Sequence, residues 1–148
     1  MKAIIPFIAM LFALNMARGQ QTFAQAKQKA LQENKLILLN FSGSDWCIPC
    51  IKMQKEVFEN KDFITMADSQ LVMVRADFPR KKKNMPSRDI VVQNEKLAEK
   101  FNPNGSFPLT LLIDPNEKII KVWDGLPDAT AASFTNSIQA YIKQYKKQ

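Results

Sequence analysis

The sequence predicts an α/β fold in which a mixed sheet is covered by helices on both faces. Short apolar runs alternate with segments whose apolar residues recur at helical spacing. The last two apolar runs are separated by a short turn at residues 114–117 and are followed by a helical segment, which predicts an antiparallel hairpin and a closing helix. With 148 residues, 46% of them hydrophobic, the chain has the size and composition of one globular domain.

Four strands and four helices are predicted in order along the chain. The strands are the apolar runs at residues 36–41, 71–74, 109–113 and 119–123, the first two buried. The first helix is capped by Thr22 and carries an apolar face of Phe23, Ala26, Ala30 and Leu31. The other helices are predicted at residues 48–58, 94–101 and 129–145. The inner residues of the helix at 48–58 are predicted to be Ile51, Val57 and Phe58.

The first 19 residues have the layout of a secretory signal peptide. A basic start precedes an apolar run at residues 3–14, and the small residues Ala17 and Gly19 follow two positions apart. An uncleaved membrane anchor is the alternative, although the run is shorter than the ~20 residues of a spanning helix. We therefore expect a signal peptide at residues 1–19 and a mature, secreted domain at residues 20–148, which would function outside the cytoplasm, where disulfides persist.

Composition excludes several classes of chemistry. The chain contains no histidine, which removes histidine-dependent triads, metal sites and proton shuttles. The net charge is +7, with a basic run at residues 80–83. Such a run is usually a solvated loop, but it could also dock an acidic partner. No aromatic residues interleave it and the other lysines are scattered, which argues against nucleic-acid binding.

The two cysteines, Cys47 and Cys50, are the strongest chemical signal in the sequence. They follow a predicted strand and open a predicted helix, with Pro49 between them. At this spacing in a first helical turn the two sulfurs lie on one side and can form a disulfide. Cys47 meets free backbone N–H groups there, which can lower its pKa from about 8.5 to between about 3.5 and 7.5. Trp46 is expected to lie against the pair and cover one side.

Three other interpretations of the pair stay open. Zinc would need four ligands, and there is no further cysteine or histidine. A copper site could combine the two thiolates with Met53 or Met85. A purely structural disulfide would close a very small loop and add little stability. Redox chemistry is the interpretation that the spacing favours.

The segment at residues 39–50 resembles the active-site segment of secreted thioredoxin-like proteins. The similarity extends to residues 55–58, 74–79, 97–101 and 105–110, and it covers nearly all of the mature chain. The group it resembles is the bacterial extracytoplasmic thiol–disulfide interchange group, typified by the C-terminal domain of the transmembrane thiol–disulfide interchange protein. The resemblance implies a thioredoxin-like fold.

The resemblance also implies an activity and its partners. The protein would be a periplasmic thiol–disulfide oxidoreductase of the reductase or isomerase type that contributes to cell redox homeostasis. Its partners would be client proteins with disulfides and a membrane thiol reductase as electron donor. We expect a monomer with no metal and no cofactor beyond its own redox-active disulfide. The alternative is a non-catalytic thioredoxin-fold module that binds a metal or a protein partner.

The resemblance assigns roles to individual residues. Cys47 would be the nucleophile and Cys50 the resolving cysteine. Phe107 and Pro108 would form a cis-proline loop that faces the cysteines and, with Trp46, binds substrate.

The sequence departs from the family pattern at two positions. Thioredoxin carries a buried acid late in the strand before the cysteines, where this chain has Asn40–Phe41 and no carboxylate, so the base for Cys50 is unassigned. Glu117 occupies a turn that often has glycine, which leaves the turn type open. Asp45, in the loop before the cysteines, is expected to be solvated.

Overall fold

A computed structural model describes residues 21–127 and 130–147 of the chain. The predicted signal peptide at residues 1–19 lies outside these residues. The helices are α1 (Phe23–Glu33), α2 (Ile48–Met53), α3 (Lys61–Gln70), α4 (Arg88–Phe101) and α5 (Ala131–Tyr145). The strands are β1 (Leu36–Ser42), β2 (Leu71–Asp77), β3 (Leu109–Ile113) and β4 (Ile119–Asp124). None of the helices within the described ranges has the length and hydropathy that a membrane span requires.

The predicted mixed sheet is confirmed. Its strand order is β2-β1-β3-β4, with β2 parallel to β1 and β3 antiparallel to both of its neighbours. The predicted hairpin joins β3 and β4, and its register shifts between Leu112 and Ile113. All seven residues of β1 are buried, as expected for a central strand that is covered on both faces.

The alternating side chains of β1 divide the core into two clusters. Ile37, Leu39 and Phe41 pack with residues of α1 and α4 on one face, whereas Leu36 and Leu38 pack with residues of α2, α3 and α5 on the other. This division follows from the two-residue period of a strand. Asn40 and Ser42 continue the second set, so the C-terminal end of β1 presents polar groups to the face that carries α2.

The sheet brings the two parts of the predicted site to one end. Cys47 follows β1 after a short loop, and Pro108 immediately precedes β3. Phe41, near the end of β1, pairs with Leu109 at the start of β3. The antiparallel pairing therefore places the segment before β3 beside the loop after β1.

Several element predictions were incomplete or wrong. Helix α3 was not predicted, and α4 begins at Arg88 rather than near residue 94. Leu31 is 62% exposed and does not belong to the buried face of α1. Met73 in β2 is also exposed, because β2 is an edge strand of the sheet. An apolar run alone does not distinguish an edge strand from a central one.

The predicted helix at residues 48–58 consists of two parts. The regular helix α2 ends at Met53, and a π-helical turn continues over Gln54–Phe58. The wider turn changes which side chains face inward: Met53 and Val57 are buried, whereas Ile51 and Phe58 are half-buried. A pattern based on 3.6 residues per turn cannot anticipate this shift.

Candidate active site

Cys47 and Cys50 form a disulfide at the start of α2, with a Cα–Cα distance of 5.2 Å. Cys47 is the N-cap residue, and its Sγ accepts a hydrogen bond from the backbone N–H of Cys50 at 3.3 Å. The local sequence explains this start, because Pro49 lacks an N–H and is tolerated in a first helical turn. A backbone N–H directed at Sγ stabilises the thiolate of Cys47 once the disulfide is reduced. Both cysteines are buried to a similar extent. What distinguishes them is their position: Cys47 caps the helix, whereas Cys50 lies within it.

Trp46 is held by contacts on several sides. Its indole N–H donates to the carbonyl of Phe78 at 2.7 Å, and its ring meets the ring of Phe107 edge-on, with centroids 5.5 Å apart. The guanidinium of Arg80 lies 3.9 Å from the indole centroid. Gly43 lies so close to the indole that no side chain fits between them. The residue before Cys47 is therefore a fixed, half-buried wall of the site.

The segment before β3 carries a cis peptide bond between Phe107 and Pro108, as the family resemblance implied. The Phe107 ring lies between those of Trp46 and Phe78, 5.5 and 5.6 Å away between centroids. The buried Pro108 accepts a hydrogen bond at its carbonyl from the N–H of Gly125 at 2.8 Å. The aromatic contacts connect the loop of the cysteines to the loop of Pro108.

Asn102 was not identified from the sequence, although it fixes the loop that leads to Phe107. Its Oδ1 accepts from the N–H of Ser106 and its Nδ2 donates to the Ser106 carbonyl, both at 2.8 Å. Asn102 is 4% exposed. An asparagine just after a helix end is common in loops, so the sequence carries little signal for this role.

The polar groups at the end of β1 include a buried amide and no carboxylate. Asn40 is buried and donates to Thr110 Oγ1 at 3.0 Å. Arg75, its partner in the register of β1 and β2, donates to Gln54 and Ser42 at 2.8 and 3.0 Å. A neutral amide cannot act as a base, so position 40 supplies no group that could take the proton of Cys50.

Asp45 is half-exposed and, in addition, holds the segment at residues 80–84. Its carboxylate accepts hydrogen bonds from the backbone N–H groups of Arg80 and Lys81 at 2.9 and 3.0 Å, and from Asn84 Nδ2 at 2.9 Å. The backbone hydrogen bond from Arg80 is the main cause of a lowered pKa for Asp45. These partners lie 35 to 39 positions along the chain, and sequence spacing gives no indication of them.

Asp77 supports the same loop from the end of β2. Its carboxylate accepts from the N–H and the hydroxyl of Ser44 at 2.9 and 2.5 Å. Its carbonyl accepts from Nδ2 of the buried Asn94 at 3.0 Å. The loop at residues 43–46 is therefore held by two carboxylates: that of Asp45, within the loop, and that of Asp77, at the end of β2.

Other candidate residues lie elsewhere. Glu117, in the turn between β3 and β4, has a left-handed backbone (φ 70°). Its carboxylate pairs with Lys27 and Lys100. Their hydrogen bonds, that of Lys100 foremost, lower the pKa of Glu117.

Met53, considered as a copper ligand, is buried, with its sulfur 4.0 Å from Thr110 Oγ1. Within the described residues no three His, Cys, Asp or Glu side chains are grouped to hold a metal.

Comparison with known proteins identifies the family. Residues 18–115 match the model of the family described as thioredoxin-like. The chain is 31% identical over 123 residues to "Disulfide bond reductase DsbH" of Chlamydia pneumoniae, covering 83% of this chain and 72% of that protein. A solved structure titled "DsbH Oxidoreductase" superimposes with a TM-score of 0.75 at 30% identity, covering 83% of both chains.

A more distant structure agrees in fold. The oxidised C-terminal domain of DsbD from Neisseria meningitidis aligns with a TM-score of 0.53 at 16% identity, over 80% of this chain and 90% of that one. The family match, the relative at 31% identity and the disulfide at the start of α2 agree with one another. The chain belongs to the thioredoxin-like family and carries the CxxC pair of its thiol–disulfide oxidoreductases.

Proposed function

We propose that this protein is an extracytoplasmic protein-disulfide reductase that operates through the Cys47/Cys50 dithiol. The observation that carries the proposal is the N-cap position of Cys47, where the N–H of Cys50 points at its sulfur. This contact favours the thiolate of Cys47 over that of Cys50, since Cys50 lies within the helix. Cys47 is therefore the proposed nucleophile and Cys50 the resolving cysteine.

The proposed reaction exchanges one disulfide for another. The Cys47 thiolate attacks a sulfur of the client disulfide, which forms a mixed disulfide and releases the first client thiolate. Asn40 cannot accept the proton of Cys50. The proton is released to the medium, and the Cys50 thiolate attacks Cys47 Sγ. The second client thiolate leaves. The client has gained two electrons and takes up two protons, and the protein holds the Cys47–Cys50 disulfide.

The donor, the direction and the location belong to the same proposal. A further dithiol must return two electrons for each turnover, and a membrane thiol reductase is the proposed donor. The relative named as a disulfide bond reductase supports reduction as the direction. The signal peptide proposed at residues 1–19 would direct the mature domain, residues 20–148, to the periplasm.

Three residues are proposed to receive the client. Trp46 and Phe107 present the aromatic side chains of the site. Pro108 has no backbone N–H, so it cannot donate a hydrogen bond beside the backbone of Phe107. An extended client segment would pair with the backbone of Phe107, as strands added to an exposed edge do. The fixed positions of both rings support this assignment.

Trapping of mixed disulfides tests the division of roles between the cysteines. Cys50→Ser should accumulate mixed disulfides with disulfide-containing clients, because the resolving thiol is absent. The matched variant Cys47→Ser should accumulate few. Equal yields from the two variants would contradict the assignment.

Insulin reduction and the reduction potential test the activity. The wild type should reduce insulin with dithiothreitol as donor, and Cys47→Ser should not. A potential near about −270 mV by glutathione equilibration would support a reductant, and one near about −120 mV an oxidant. A protein that reduces no disulfide would instead be a binding module.

A further inference from the structure

Residues 80–83 form a continuous cationic segment beside the cysteine pair. Arg80, Lys81, Lys82 and Lys83 are all exposed, and we call this segment the basic rim. Within the described residues, none of the four forms an ion pair with a carboxylate side chain. Their charges are therefore available to a binding partner.

The basic rim is attached to the residues that precede Cys47. The Asp45 carboxylate accepts the backbone N–H groups of Arg80 and Lys81, and the Arg80 guanidinium stacks 3.9 Å from the centroid of Trp46. A stacked guanidinium keeps its N–H donors at its edge, where they can bind a carboxylate. The rim is thus attached to the two residues that precede the nucleophile, through the side chain and backbone of Arg80 and through the backbone of Lys81.

The rim is also structured rather than freely extended. A 3-10 turn over Lys82–Asn84 is closed by backbone hydrogen bonds from Asn84 to Lys81 and from Met85 to Lys82, at 2.9 and 3.2 Å. Asn84 Nδ2 adds a hydrogen bond to Asp45. A pre-formed charged loop loses less conformational entropy on binding than a flexible one.

Among the neighbouring carboxylates, Asp45 offsets part of the rim's charge through its interaction with Lys81, but the four cations leave the rim with a net positive charge. Asp45 directs its oxygens to two backbone N–H groups of the rim and to Asn84 Nδ2, and Asp77 accepts from Ser44. Asp124 lies at the end of β4, on the opposite edge of the sheet from β2, which leads into the rim. The entrance to the cysteines is therefore cationic on one side.

We propose that the basic rim recognises acidic polypeptide segments that flank the disulfide of a client. This proposal rests on the reductase function proposed above. The rim would raise the association rate constant of an acidic client, because complementary charges near a binding site act mainly on the rate of association.

Three matched disulfide peptides test the proposal. They share one sequence except for four flanking positions, occupied by glutamate, glutamine or lysine. At low salt we expect kcat/KM for the acidic peptide to exceed that of the glutamine peptide by about tenfold, with the lysine peptide slowest. The difference should shrink in about 0.5 M NaCl, where charges are screened. Equal kcat/KM values for the three peptides would overturn the proposal.

Two charge-reversal variants separate the rim from net charge. K81E/K82E/K83E should lose or invert the preference and still reduce the glutamine peptide. The control K143E/K146E/K147E changes the net charge equally near the C-terminal end of α5, where Tyr145 binds Asp114 at the end of the sheet away from Cys47. Loss of the preference in both variants would refute a local rim.

Two further outcomes are distinct. If the wild type fails to reduce the glutamine peptide, the proposed reductase function fails, whatever the rim does. If the rim variants lose binding to phosphatidylglycerol vesicles while the peptide rates stay equal, the rim binds anionic lipid and the client proposal is wrong.

Discussion

Replacing Gly43 by alanine would disturb the packing that holds Trp46 beside Cys47. Gly43 is not in the left-handed region, so its backbone conformation is open to alanine. The added Cβ would lie 2.3 Å from Trp46 Cε2 and 2.6 Å from its Nε1, whereas carbon atoms pack at about 3.5–4.0 Å. The indole would have to move by more than about 1 Å.

The cost follows from the contacts that this movement breaks. Forcing extra volume into a packed site costs about 1–3 kcal/mol, and loss of the hydrogen bond from Trp46 to Phe78 costs about 1 kcal/mol. The edge contact with Phe107 contributes about 0.5–1.5 kcal/mol. These terms overlap, so we expect Gly43→Ala to lower the free energy of unfolding by about 2–4 kcal/mol. Urea denaturation of the oxidised protein measures it.

A double-mutant cycle isolates the clash. In a Trp46→Ala background, Gly43→Ala should be neutral or stabilise by up to about 1 kcal/mol, because only the unfolded-state entropy changes. Gly105→Ala is a control, since its φ of 66° strains alanine while no atom lies within 4 Å of the new Cβ. Equal costs of Gly43→Ala with and without the indole would refute the packing argument.

Two further predictions concern residues that hold other loops. Glu117→Gln should lower stability by about 1 kcal/mol at neutral pH. Because hydrogen bonds from two lysines lower the Glu117 pKa in the folded state, its stabilisation is present above the ordinary glutamate pKa and disappears as pH falls through the lowered value. Urea titrations of both proteins across this range would contradict this if the difference stayed constant. Asn102→Ala should cost about 1–3 kcal/mol and slow insulin reduction more than reaction with a small disulfide reagent. The exposed Asn104→Ala should change neither.

Local patterns in the sequence were enough to predict the sheet and the reactive pair. The unbroken apolar run of β1 predicts a strand covered on both faces, and all of its residues are buried. The three-residue spacing of Cys47 and Cys50 around Pro49 predicts their place at a helix start. These features are readable because each depends on residues a few positions apart, where strand and helix periodicity act directly.

The supporting contacts of the site could not be predicted in this way. Asp45 binds a loop 35 residues away. The carboxylate of Glu117 likewise binds Lys27, 90 positions away along the chain, and Lys100. Each of these depends on how the elements pack around β1, because hydrogen bonds between distant segments form only once the core has brought those segments together.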